Sequence, residues 1–227
     1  MFEVIFSHHK TTGLLLKQNS ERFLTGLDLA EEVQHGVLLL DIRQPQQFVN
    51  GHLAGSLNIA FHPAGYAGRL DIFVRPGRPL ALVCEPGPER LAATFSLLQA
   101  GYNIIGYTEI TAALPLEVTP QLSPRQLWQE ISKGRLEQNL TVLDVRIPVE
   151  WNDYHIEGAL HLPYFEIPHR LHELDPRKEL VVIASNRFHS LTALSFLTQH
   201  GFEQPCEVPS GMSGWARSGL PIKRGSP

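Results

Sequence analysis

Short runs of apolar residues alternate along this chain with stretches whose apolar positions recur at helical spacing. Thr25, with Asp28 three residues on, forms a capping signal, and Leu27, Leu29, Ala30 and Val33 carry a helix that stops at Gly36. Val37-Leu38-Leu39-Leu40 predicts a buried strand ending in Asp41, and a Gly51 to Gly55 turn leads into a second strand, Ser56 to Ile59. Residues 61 to 79, rich in Gly, Pro and Arg, read as a long connection. Then come a strand over 80–83, a loop opening at Cys84, a helix from Glu89 to Gln99 and a strand Asn103 to Ile105. Ala112 to Gln121 reads as a linker, and Ser123-Pro124 is a helix start with proline at the first helical position. The order then repeats: helix Pro124 to Ser132, strand Thr141 to Leu143 ending in Asp144, strand Leu160 to Leu162, a helical stretch over 168–174, strand Leu180 to Ile183, helix Ser190 to Gln199 and a closing strand before Gly211. Phe2 to Phe6 and Leu14 to Lys17 read as two short strands.

This alternation predicts an α/β fold in two domains, each a mostly parallel sheet of about five strands with helices on both faces. The expected boundaries are an extension over 1–22, a first domain over 23–111, a linker over 112–121 and a second domain over 122–224. A length of 227 residues suits two domains of about 100 residues each. A net charge of −4 provides no basic face, so neither nucleic acid nor a membrane is an expected partner. The first 17 residues are interrupted by His8, His9, Lys10, Thr11 and Thr12, which excludes a signal-peptide core there and leads to the expectation of a cytoplasmic protein. Two cysteines, Cys84 and Cys206, in unlike contexts predict free thiols rather than a disulfide framework. No metal and no cofactor is expected, since only His169 and His172 approach ligand spacing among eleven histidines.

The two halves match residue for residue. Asp41-Ile42-Arg43-Gln44-Pro45, Phe48, His52, Gly55 and Leu57 correspond to Asp144-Val145-Arg146-Ile147-Pro148, Trp151, His155, Gly158 and Leu160, every pair offset by 103 residues without a gap. The chain is a tandem repeat of one α/β unit. Leu40 to Ser56 and its copy, Leu143 to Ala159, resemble the first signature of rhodanese-like domains, and Pro209 to Pro221 resembles that family's closing signature. Leu82-Val83-Cys84-Glu85-Pro86-Gly87 and Gly101 to Tyr107 are similar to the first of the paired rhodanese domains that follow a metallo-β-lactamase-type persulfide dioxygenase. The dioxygenase's own metal-binding His cluster is absent from this sequence.

The resemblance implies sulfur carriage as a cysteine persulfide: a thiolate at a strand end, a loop of inward N–H groups, and a cation holding an anionic donor. It also implies a loop in which arginine follows the cysteine by five positions, with the second domain normally active. Here the second domain carries Ala184 at the cysteine position, His189 at the arginine position and Ser190 after it, which predicts an inactive domain whose Ser185, Asn186, Arg187, His189 and Ser190 bind a small anion or a protein partner. The first domain keeps Cys84, but Arg90 follows six positions on, the spacing of tyrosine and dual-specificity phosphatases. In this loop Gly87 is the residue expected to bind an anion, while Pro86 and Pro88 remove two donors and Glu85 and Glu89 add opposing negative charge. Cys84 as persulfide carrier, Cys84 as an inert buried thiol and Cys84 as a phosphatase nucleophile all remain open. The expected function is that of a degenerate tandem rhodanese, with Cys84 and Arg90 as the catalytic pair and a small sulfur-containing anion, persulfide donor or sulfur-relay protein as partner.

Overall fold

The computed structural model describes residues 20–225; the strands expected over Phe2 to Phe6 and Leu14 to Lys17 lie outside the described residues. The described residues form two compact units, one comprising those up to Gln44 with His52–Leu116, the other Pro45–Gly51 with those from Glu117 on. In chain order the elements through the first repeat are α1 (Gly26–Gln34), β1 (Leu38–Asp41), α2 (Pro45–Asn50), β2 (His52–Leu53), β3 (Leu57–Asn58), α3 (Tyr66–Asp71), β4 (Pro79–Cys84), α4 (Pro88–Gln99), β5 (Asn103–Glu109) and β6 (Leu116–Glu117). The second repeat supplies α5 (Pro124–Ser132), β7 (Leu140–Asp144), α6 (Pro148–Asp153), β8 (Leu160–His161), α7 (Ile167–Arg170), β9 (Glu179–Ile183), α8 (Arg187–Gln199), β10 (Cys206–Glu207) and α9 (Gly211–Arg217).

Each repeat builds a four-stranded parallel sheet, β3-β1-β4-β5 in the first and β8-β7-β9-β10 in the second. The apolar runs at the centre of each are buried on both faces, as parallel strands require: β1 is buried throughout, and so are Leu80 to Cys84 of β4. Leu39, Ala81 and Val83 pack with Leu24, Leu29, Val37 and Leu53. In the second unit, Val142, Val181 and Ile183 pack with Leu127, Met212 and Trp215.

The expectation of about five strands per sheet is corrected to four, because the fifth position shrinks to a single bridging residue in both repeats: Phe23 beside Tyr107, and Gln121 beside Glu207. The cause is local. Arg22 O accepts from Tyr107 N and Tyr107 O from Leu24 N at 2.9 and 2.8 Å, and then Thr25 closes a capping box with Asp28 that turns the chain into α1. Gln121 is followed within two residues by Ser123, which closes the same box with Gln126 and starts α5. A capping residue that takes the helix's free N–H groups cannot also extend a strand.

The repeat persists in three dimensions. Arg43 and Arg146 each wrap back onto the aspartate two residues before, with Nη2 to Oδ2 at 2.6 Å in both and a backbone N–H to Oδ1 at 3.0 Å in both. Ile59 N and Leu162 N donate to Asp41 O and Asp144 O at 3.1 Å in each case. Both pairs are buried at the ends of β1 and β7. The connection over 61–79 contains α3, whose buried Tyr66 and Leu70 were not expected from its Gly- and Arg-rich composition. Among the described residues, no helix is long and apolar enough to cross a membrane, and no group of three or more His, Cys, Asp or Glu could hold a metal ion.

Candidate functional site

β4 brings Cys84 to the C-terminal end of the first sheet, in register with Glu109 of β5, while Val83 lies beside Asp41 of β1. This is the end of a parallel sheet where ligands are usually met. The residue is 1% exposed, and its thiol donates to Thr108 O at 3.5 Å. Burial pushes the Cys84 thiol up to about 12; Arg90 works against that rise, and Glu109, Asp41 and Glu85 add to it. Cys84 therefore rests as a protonated thiol.

The loop that follows carries little anion-binding capacity of its own. Gly87, the N-cap of α4, has φ 144° and ψ −175°, a conformation open to glycine but strained for side-chain-bearing residues. Pro86 and Pro88 have no N–H to offer, and Glu85 and Glu89 are exposed on either side. Glu85 Oε1 lies 3.9 Å from Arg43 Nη1. Arg90, in the first turn of α4, lies with its Cζ 4.0 Å from the centre of the Tyr107 ring. Its Nη1 is buried without a hydrogen-bond partner. The structure thus groups Cys84 and Arg90, and adds Tyr107, Thr108 and Glu109.

The register identifies the corresponding place in the second unit. Ile183 pairs with Asp144 as Val83 pairs with Asp41, so Ala184 stands where Cys84 does. Ala184 is 1% exposed, its carbonyl accepts from Met212 N at 3.0 Å, and it offers no nucleophile. One residue, Ser185, separates it from the N-cap Asn186, where Glu85 and Pro86 separate Cys84 from Gly87; the first loop is longer by one.

The residues expected to bind an anion here are largely engaged from within. Asn186 Oδ1 caps α8 by accepting from His189 N at 3.1 Å. Ser185 Oγ donates to Glu150 Oε1. Arg187 forms a two-pronged pair with Glu207, Nη2 to Oε2 at 2.6 Å, and its Nη1 donates to Gln46 at 2.5 Å. Ser190 Oγ donates to the same Glu207, at 2.8 Å. His189 stacks on Tyr164 with ring centres 4.2 Å apart. Carboxylates from Glu150 and the buried Glu207 thus take donors that an incoming anion would need.

Glu150, Glu207, Tyr107 and Thr108 were not expected at these loops. For β5 the reason is visible: its predicted end at Ile105 stops before Gly106, where a register shift interrupts the pairing, and the strand then runs on through the three residues that flank Cys84. The sequence carried no signal for them, since which residue stands opposite a strand-end cysteine is decided by the register of the neighbouring strand.

The family model for the rhodanese-like domain matches residues 26–110 and again 123–218. The chain is 31% identical over 107 residues to the thiosulfate sulfurtransferase GlpE of Actinobacillus pleuropneumoniae, covering 47% of this chain and 95% of that protein. It is 32% identical over 99 residues to a sulfurtransferase of Allochromatium vinosum, covering 41% and 92%. Among solved structures, a thiosulfate sulfurtransferase from Pseudomonas aeruginosa is 24% identical, with a TM-score of 0.40, covering 91% of this chain and 41% of that one.

Proposed function

The chain belongs to the rhodanese-like domain family, and from that premise we propose that it is a degenerate tandem rhodanese in which Cys84 carries sulfane sulfur and the second unit carries none. Its relatives named as sulfurtransferases support the sulfurtransferase-like role. The observation that carries the assignment to Cys84 is its place at the end of β4, in front of α4 and under the influence of Arg90, while the register partner Ala184 has no thiol.

In this reading the donor is a persulfide rather than thiosulfate. The sulfonate of thiosulfate keeps its charge in front of Glu85, Glu89 and Glu109, whereas a persulfide, itself largely anionic at neutral pH, can take up a proton and approach as neutral R–S–SH. The thiolate of Cys84 attacks the outer sulfur, the S–S bond between that sulfur and the R–S group breaks, and the departing R–S⁻ thiolate takes up the proton that Cys84 released. The products are Cys84–S–SH and R–SH, with no change in overall oxidation state. The likeness of Leu82 to Gly87 to domains paired with persulfide dioxygenases fits such a donor. Both cysteines are free, which fits a reducing cytoplasm and onward transfer to an acceptor protein.

The test is to incubate the full chain with glutathione persulfide, polysulfide or thiosulfate and read added sulfur on Cys84 by peptide mass spectrometry. Loading from the persulfide and polysulfide, with little from thiosulfate, is expected. A Cys84 that takes sulfur from no donor sinks the proposal and leaves a binding module; phosphate release from an aryl phosphate, lost in Cys84→Ser, would make the site a phosphatase instead.

A further inference from the structure

The two repeats hold an arginine of the helix that follows the loop at one and the same sheet position, but with partners of opposite chemistry. Tyr107 and Glu207 are equivalent: each is the residue bridged by the chain segment at the sheet edge, Phe23 in one case and Gln121 in the other. Glu207 receives Arg187 through paired hydrogen bonds and so consumes its donors. Tyr107 receives Arg90 on its ring face, at 4.0 Å. An aromatic face holds the flat guanidinium by its π-cloud and leaves the N–H groups at its edge unspent. Arg90 Nη1 is indeed buried and unpartnered.

Tyr107 is itself well fixed. Its backbone N–H and carbonyl are both bonded to the segment around Phe23, at 2.9 and 2.8 Å, and the Phe23 ring meets it edge-on at 5.5 Å. The next residue, Thr108, supplies the carbonyl that accepts the Cys84 thiol, so one short run of β5 touches both the sulfur and the arginine's support.

We infer that Tyr107 is a positioning residue: it holds the Arg90 guanidinium on the strand residue next to the one that accepts the Cys84 thiol, with Nη1 unspent, so that the cation favours the anionic forms of that sulfur. This rests on the sulfur-carrier reading for its use, yet the positioning is measurable without any sulfur transfer. The groups that bear on Cys84 are Arg90 from α4, Glu109 from β5, Asp41 from β1 and Glu85 from the loop; Arg90 is the one that opposes the rest. Removing its support therefore moves the thiol in one direction only.

The experiment is the rate of Cys84 alkylation by iodoacetamide between about pH 7.5 and 9.5, read by peptide mapping that separates Cys84 from Cys206, because the rate follows the thiolate fraction. Tyr107→Leu is expected to slow alkylation of Cys84 by about tenfold at a given pH while Cys206 is unchanged; Tyr107→Phe, which keeps the ring, matches the parent protein. Arg90→Gln, which leaves the strand untouched, gives the same slowing, and adding Tyr107→Leu to it changes nothing more. The inference is overturned if Tyr107→Leu or Arg90→Gln leaves the profile in place, or if Tyr107→Phe shifts it as far as leucine does. A shifted profile with no sulfur loading from any donor would retain the positioning role and remove the sulfur-carrier function.

Discussion

Cys84 and Ala184 occupy one position in two copies, and the difference between them is not only the missing sulfur. The arginine whose charge favours the Cys84 thiolate is held on a ring, while near Ala184 the arginine is bound by a buried carboxylate. The protonated resting state of Cys84 has a thermodynamic consequence. Its ordinary value is 9.0 and its folded value about 12, so below about pH 9 folded and unfolded chains hold the proton alike. Between 9 and 12 the unfolded chain releases it and the folded chain does not, so this contribution to stability is present below pH 9 and lost as pH rises towards 12. Comparison with Cys84→Ala isolates the effect from other titrating groups. The gap in denaturant midpoint between the parent and Cys84→Ala should narrow from pH 8 to pH 10.5; a gap that stays constant would mean the thiol ionises as freely as in the unfolded chain. The sequence revealed Cys84, Arg90 and the opposing Glu85, Pro86, Pro88 and Glu89, since those lie in one continuous stretch. It could not reveal Glu109, which strand pairing sets opposite Cys84, or Tyr107, which the same strand brings to Arg90.

At the scale of elements, the duplication was the strongest message in the sequence, and the paired turns of Asp41-Arg43 and Asp144-Arg146 match it bond for bond. What did not show was how each capping box shortens an edge strand to one bridge, because capping and strand propensity compete for the same few residues. The start of α9 shows another constraint. Gly211 has φ 56°, and a Cβ there would stand 2.1 Å from Ala184 O, the carbonyl that already accepts from Met212 N. The closing signature thus needs glycine to let the α9 turn sit against the loop after β9. Gly211→Ala should destabilise the second unit by on the order of 3 kcal/mol through backbone strain and displacement of that carbonyl. Equilibrium urea unfolding would register it; a loss below about 0.5 kcal/mol, the range of an ordinary surface change, would show that the turn relaxes without cost.

At the scale of the whole molecule, the compact units do not follow the two sequence repeats. Pro45–Gly51 belongs in sequence to the first repeat, but it forms part of the second compact unit. There Phe48 and Val49 pack with Leu191 of α8, Thr119 N donates to Val49 O at 3.2 Å, and Gln46 accepts from Arg187. Phe48 and Trp151 are matched positions in the alignment of the repeats, each buried, and nothing in either repeat's own pattern says that one of them serves the other unit. Only contacts distant in sequence decide it. Because all three tryptophans, Trp128, Trp151 and Trp215, lie in the second unit, their fluorescence reports that unit's unfolding alone. Phe48→Ala removes a side chain that is 1% exposed and opens a cavity beside Leu191. It should lower the stability read by tryptophan fluorescence by about 3 to 5 kcal/mol, although the mutation lies 92 residues before Leu140, where the second repeat's first strand begins. If that transition stayed in place while a probe in the first unit moved instead, α2 would belong with its own repeat and the compact units would coincide with the duplication.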